Sequence, residues 1–301
     1  RLQASSVRKL LGKWGDKIKE IRAEASARRV MFRASSPGYR DMAIKAVPTD
    51  ARTNEIEALR KLGGGDIVQF FAYLTPRTRD TALPQQDPHT LLFMEAADGD
   101  LMKVLQAKKE LSSSVKLRIV IEMLRAIVKM EKAGWVHRDV QPPNLFVFGD
   151  CFDDDEGCHI KVGEFGEAAR VEAIPEAGAM AMSASPYVAP EVWDGAGDQS
   201  KNDIWSAGMV AFELFVGAVP AALERAPPSE ALDIAGDPGF QRLAGSDAEV
   251  AALLRSMLQE SPVKRASAEA ALAMATKLAE KWGIEVPEQP RVYWNWPMAA
   301  A

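Results

Sequence analysis

Residues 137–148 read His-Arg-Asp-Val-Gln-Pro-Pro-Asn-Leu-Phe-Val-Phe, and residues 163–166 read Gly-Glu-Phe-Gly. These two tracts decide how the rest of the chain is read. In the first, Asp139 is a carboxylate that can accept a proton, and Asn144 carries an amide oxygen that suits a cation. Ser112 to Ala133 repeats apolar residues at helical spacing, so a long helix runs into this tract. Leu145 to Phe148 and His159 to Val162 are strand-like, and the second of these delivers Glu164 between two glycines. Other landmarks flank the pair in order. Met42-Ala43-Ile44-Lys45, Asn54-Glu55-Ile56-Glu57-Ala58-Leu59 and Leu91-Leu92-Phe93-Met94-Glu95 come before it. Ala189-Pro190-Glu191, Asp203-Ile204-Trp205-Ser206-Ala207-Gly208 and Arg265 follow.

In that order the landmarks resemble the signature set of protein kinases, over most of the chain from about Asp41 to Leu272. The resemblance implies an α+β, bilobal protein-kinase-like fold. Its N-lobe, residues 1–97, would hold a small β-sheet, and its C-lobe, residues 98–301, would be mainly helical. Lys45 would reach the ATP phosphates and pair with Glu55, with Glu57 as the solvated alternative. Met94 stands at the gatekeeper position and Glu95 at the start of the hinge, and Phe146 would floor the adenine pocket. Asp139 would be the catalytic base. Asn144 and Glu164 would hold magnesium, while Arg138, Glu191, Asp203 and Arg265 would organise the scaffold.

Three departures weigh against efficient catalysis. Glu164 stands where the pattern has Asp, and a carboxylate one methylene longer must retract or shift the metal by about 1 Å, and octahedral magnesium tolerates little such departure. Gln141 stands where kinases acting on Ser or Thr usually carry Lys, so a cation is missing at the point of transfer. No G-x-G-x-x-G precedes Lys45; instead, residues 5 to 33 place Val7, Leu10, Leu11, Trp14, Ile18 and Ile21 at spacings that predict an amphipathic helix in place of the phosphate-covering hairpin. A misplacement of about 1 Å can cost roughly a hundredfold in rate, and loss of a charge-stabilising group about as much again. The segment Glu167 to Tyr187 offers only Ser183, Ser185 and Tyr187 as phosphate acceptors, so a phosphorylation switch read by Arg138 looks rudimentary.

At 301 residues with 47% apolar content the chain suits one two-lobed catalytic unit. A net charge of −5 with dispersed Lys and Arg argues against nucleic-acid binding. Ala207 to Leu223, the most apolar stretch, is interrupted by Glu213 and Pro220 and is expected to be a buried helix rather than a transmembrane one. The chain opens on Arg1, so the missing leader says nothing about secretion. Cys151 and Cys158 flank Phe-Asp-Asp-Asp-Glu-Gly at the two ends of one hairpin. A disulfide there is geometrically plausible and would suit an oxidising compartment; two free thiols are the alternative. Zinc lacks a fourth ligand beside His159, and the run Asp153 to Glu156 lacks the EF-hand pattern, so a solvated loop tip is expected there. The aromatic tail 291–297 is expected to pack on the body.

A kinase domain without a glycine-rich loop and with a helical extension before it resembles the With-No-Gly-loop branch of the rhoptry-kinase-like proteins that apicomplexan parasites secrete. This chain keeps Lys45 and Asp139 but not the metal-binding Asp, which makes it more similar to the branch's inactive member, a pseudokinase of the bradyzoite cyst wall. The resemblance implies a secreted pseudokinase of the parasitophorous vacuole or cyst wall, acting as a scaffold for protein partners and needing no cofactor. An atypical active Ser/Thr kinase, using ATP and magnesium, is the first alternative. A nucleotide-gated binding module is the second.

Overall fold

The computed structural model describes residues 3–11, 18–24, 30–48, 53–75, 89–107, 110–151, 157–174, 185–193, 199–220 and 234–288. Backbone contacts divide the chain between Ala97 and Asp98 into two compact units.

The first unit is built on an antiparallel five-stranded sheet of order β1-β2-β3-β5-β4, with β1 Glu20–Glu24, β2 Val30–Ser35, β3 Met42–Pro48, β4 Phe70–Leu74 and β5 His89–Glu95. Side chains alternate across a strand. Phe32 and Ala34 of β2, Met42, Ile44 and Ala46 of β3, and Leu91 and Phe93 of β5 therefore bury one face together. Lys45, one position out of phase, falls on the other. Helix α1, Ala4–Leu10, adds Val7 to that buried face, joined by Leu11 and Ile18. Arg8 of α1 donates from Nη1 to the Ile18 carbonyl at 2.5 Å, which fixes the chain just before β1. Helix α2, Thr53–Leu62, buries Glu55, Ala58, Leu59 and Leu62.

The expected helix across residues 5–33 is corrected here. Among the described residues of that stretch only Ala4–Leu10 is helical, and β1 and β2 pair antiparallel with Glu24 opposite Met31. The physical reason lies in β2, where the buried positions Phe32 and Ala34 follow a period of two and not the helical one. Val7, Leu11, Ile18 and Ile21 match helical spacing because they lie on one helix, its end, and a following strand that share the same buried face. The helix thus precedes the hairpin and does not replace it. The linker 25–29, Ala-Ser-Ala-Arg-Arg, has no glycine and lies outside the described residues.

The second unit is mainly helical. Helix α3 is Leu101–Gln106, capped by the Asp100 side chain, and α4 is Ser113–Lys132, capped by Ser112. Strand β6, Gly99–Asp100, pairs with β8, Leu145–Phe148, which pairs with β9, His159–Val162; β7, Trp135–Val136, pairs with β10, Ala169–Arg170. Helix α5, Pro190–Trp193, is short, and α6, Asn202–Val216, is buried along nearly its whole length. Helices α7, Pro238–Ser246, α8, Ala248–Met257, and α9, Ala268–Trp282, complete the unit. Four helices thus follow Glu191 among the described residues. Helix α4 is the spine, packing on α6, α9 and β9. No described helix is long and apolar enough to cross a membrane. Residues 76–88, the acidic run 153–156 and the tail 291–297 lie outside the described residues.

Candidate functional site

In the first unit, β3 presents Lys45 and α2 presents Glu55, with Nζ 2.5 Å from Oε1. Both are buried, at 6% and 3% exposure, whereas Glu57 is on the exposed side of the helix. Met94 lies at the end of β5, buried and opposite Ala43 in register. Glu95 turns its side chain inward, where Oε1 accepts the Gln69 backbone N–H at 2.7 Å, while its own N–H donates to the Gln69 carbonyl at 3.0 Å. Arg33 of β2 pairs with Asp41 at 3.1 Å and also donates to the Ala97 carbonyl.

In the second unit, the loop between β7 and β8 carries Asp139, Gln141 and Asn144. The Asp139 carboxylate accepts from Gln141 Nε2 at 2.6 Å through Oδ1 and from Asn144 Nδ2 at 2.6 Å through Oδ2. Asn144 Nδ2 also donates to the Asp139 carbonyl at 2.6 Å. The loop is held from beneath by Asp203 of α6, whose carboxylate accepts the backbone N–H groups of His137 at 2.6 Å and Arg138 at 2.8 Å. Burial pushes the Asp203 carboxyl up, and the neighbouring His137 and those two N–H groups pull it the other way. Arg138 adopts φ 70°, a left-handed conformation that costs a side-chain-bearing residue about 1–2 kcal/mol. Anchoring by Asp203 offsets that strain.

Glu164 shares the left-handed region, with φ 64° and ψ 64°, and is buried at 7% exposure. Strained residues of this kind gather at functional sites. Its neighbours are fixed by the catalytic-type loop: Gly163 N–H donates to the Asn144 carbonyl at 2.9 Å, and His137 Nε2 bonds the Gly163 carbonyl at 2.8 Å. The Phe165 ring meets His137 edge-on at 4.7 Å. A Cβ at Gly163 would lie 2.4 Å from the Phe146 ring, so a substituent there would have to displace that side chain. Phe146, on β8, therefore lies directly beside the chain that positions Glu164. For magnesium, the residues of this unit that would serve are Glu164 and Asn144, an oxygen donor set of suitable hardness. Groups of three or more metal-binding side chains are absent among the described residues.

The remaining predicted residues are structural. Arg265 Nη1 and Nη2 grip Glu191 Oε1 and Oε2 at 2.6 and 2.8 Å, and the guanidinium lies 5.2 Å from the Trp205 ring centroid. Cys151 and Cys158 are joined by a disulfide with Cα atoms 4.4 Å apart. Sequence reasoning passed over two features. Glu122, wholly buried on α4, accepts His159 Nδ1 at 2.8 Å and the Ile160 N–H at 2.7 Å; a carboxylate on the apolar face of Ser112–Ala133 was the available signal. Tyr187 donates to Glu213 Oε2 at 2.5 Å, and that pair is 26 residues apart with no local pattern to announce it.

The Tyr187–Glu213 contact gives a pH prediction. Burial, followed by the hydrogen bond to Glu213, pushes the Tyr187 phenol well above its ordinary range. The unfolded chain loses this proton near pH 10 while the folded chain keeps it, so stability falls as pH rises above about 10. Tyr187→Phe is expected to cost about 1–2 kcal/mol at pH 7, and the difference in Tm from wild type should narrow above pH 10. A difference that stays constant with pH would refute this assignment.

A family model described as protein kinase domain matches residues 35–275. The sheet unit, the helical unit and these two groups of residues define a bilobal protein-kinase fold, and the chain belongs to the protein kinase domain family. Its relatives are Ser/Thr kinases at low identity. It is 30% identical over 207 residues to CBL-interacting protein kinase 4 of Oryza sativa subsp. japonica, covering 65% of this chain and 40% of that protein. It is 28% identical over 171 residues to the serine/threonine-protein kinase atg1 of Dictyostelium discoideum, covering 56% and 24%. It is 30% identical over 169 residues to calcium/calmodulin-dependent protein kinase type 1 of Caenorhabditis elegans, covering 56% and 44%. The chain spans less than half the length of each of these relatives.

Proposed function

We propose that this kinase domain is a pseudokinase, a protein-interaction or scaffold module with little or no phosphotransfer. The observation that carries the reading is Glu164, a longer carboxylate at the metal position, buried and set on a left-handed backbone. The neutral Gln141 supports it, since nothing in that position compensates charge on a transferring phosphoryl group. The finer assignment, a secreted member of the With-No-Gly-loop rhoptry-kinase branch in the parasitophorous vacuole or cyst wall, rests on the resemblance, with the Cys151–Cys158 disulfide in keeping with an oxidising compartment.

A second reading, an atypical active Ser/Thr kinase or a nucleotide-gated binder, is favoured by the Lys45–Glu55 pair. A buried ion pair contributes little net stability, so its retention fits a ligand that uses it. Magnesium, when bound, would supply charge compensation to the phosphates; Lys45 would orient them, and Asp139 would receive the proton of the acceptor hydroxyl.

The test is a thermal-shift titration with ATP, with and without magnesium or manganese, on wild type and Glu164→Asp, purified without reductant. The pseudokinase reading expects no metal-dependent shift in wild type and neither cysteine open to alkylation. Binding at a hundred times the dissociation constant would add about 2.7 kcal/mol. A metal-dependent shift of that size in wild type, with phosphate transfer that disappears in Asp139→Asn, would overturn it in favour of the active kinase.

A further inference from the structure

We propose that Gln141 is a positioning residue for Asp139. It takes over the geometric duty of a loop cation without supplying its charge. The inference rests on reading residues 137–144 as a catalytic loop, and it deepens that reading by separating what the loop has kept from what it has lost.

The local sequence dictates the geometry. Gln141 precedes Pro142, and a residue before proline is driven to extended backbone. Its φ of −162° and ψ of 161° agree. From that position the Gln141 side chain meets Asp139, two residues back, with Nε2 2.6 Å from Oδ1. Pro142 and Pro143 then turn the chain through a short 3₁₀ segment to Asn144, whose amide meets the other oxygen, Oδ2, at 2.6 Å. The backbone beneath is pinned as well: Asp139 N–H donates to His137 Nδ1 at 3.3 Å, leaving Nε2 to donate to the Gly163 carbonyl. Two amides on two oxygens fix the torsion of the carboxylate, and neither adds positive charge. Orientation is retained in this loop, and charge compensation is what it lacks.

The test has two arms. The first is independent of activity: the chain is labelled with ¹⁵N at glutamine side chains, and the Gln141 amide signal is identified by its absence in Gln141→Leu. Its protons are expected to exchange at least about tenfold more slowly than those of exposed glutamines, with that protection lost in Asp139→Ala. An amide that exchanges as fast as the exposed ones, or that keeps its protection in Asp139→Ala, overturns the proposal. The second arm measures single-turnover phosphotransfer with manganese in a Glu164→Asp background. Gln141→Leu should lower transfer at least about tenfold and Gln141→Lys should raise it by a similar factor, with the ATP-induced thermal shift unchanged in both. Equal transfer in Gln141→Leu and its parent overturns the proposal. No transfer anywhere in the series, with the amide still protected, supports the positioning role and counts against the active-kinase reading alone.

Discussion

Arg265→Ala is expected to destabilise the second unit by about 3–5 kcal/mol, and so to lower Tm by on the order of 10 °C, taking about 2–4 °C per kcal/mol for a domain of this size. The magnitude follows from what remains behind. Arg265 holds both oxygens of the buried Glu191 and also donates to the carbonyls of Gln259, Lys201 and Glu260. Truncation strands a carboxylate that is 7% exposed and removes partners from three backbone oxygens at once. Coulombic attraction alone would not justify so large a figure, because desolvation consumes most of it; the cost comes from leaving one charge without the other. The pairing can therefore be checked with Glu191→Leu combined with Arg265→Met, which should cost less than Arg265→Ala. A double substitution that is worse than the single one, or a single one that lowers Tm by under about 2 °C, would refute the argument.

The sequence carried the fold wherever a motif is local and chemically constrained. Asp139, Asn144 and Glu164 sit in short tracts whose order admits few alternatives, and the kinase fold they implied is the fold of the family to which the chain belongs. Glu55 and Glu57 illustrate a finer limit. Spacing ranked them, but only helix phase relative to β3 decides which one faces Lys45, and phase depends on how α2 packs. The failure at residues 5–33 has a related origin. Val7, Leu11 and Ile18 are spaced like one helical stripe because all three bury against the same sheet face, although a helix supplies the first and the approach to a strand supplies the last. A face shared by two elements can imitate the periodicity of one. Long-range polar pairing was the least legible: a carboxylate on an apolar helix face flags Glu122 but not its partner His159, and Tyr187 and Glu213 are each ordinary in their own neighbourhoods.

Asp203→Ala is the second change with a large expected effect, about 3 kcal/mol or more, and unlike the loss of Arg265 it should disturb the catalytic-type loop directly. Its two oxygens are the acceptors for the N–H groups of His137 and Arg138. Each buried donor left without a partner costs about 1–3 kcal/mol, and Arg138 would also lose the contact that holds its left-handed backbone in place. Burial works against the ionised carboxylate, so the penalty of Asp203→Ala reflects the abandoned donors more than the lost charge. Asp203→Asn separates the two. Its amide oxygen keeps one acceptor while its NH₂ confronts the second N–H, so it should cost less than Ala, about 1–3 kcal/mol. The local readout is hydrogen exchange: the amides of His137 and Arg138 should lose protection in Ala, and only one of them in Asn. If both variants are equally destabilised and both amides stay protected, the loop is held by packing around His137 and Phe165, and Asp203 is not its anchor.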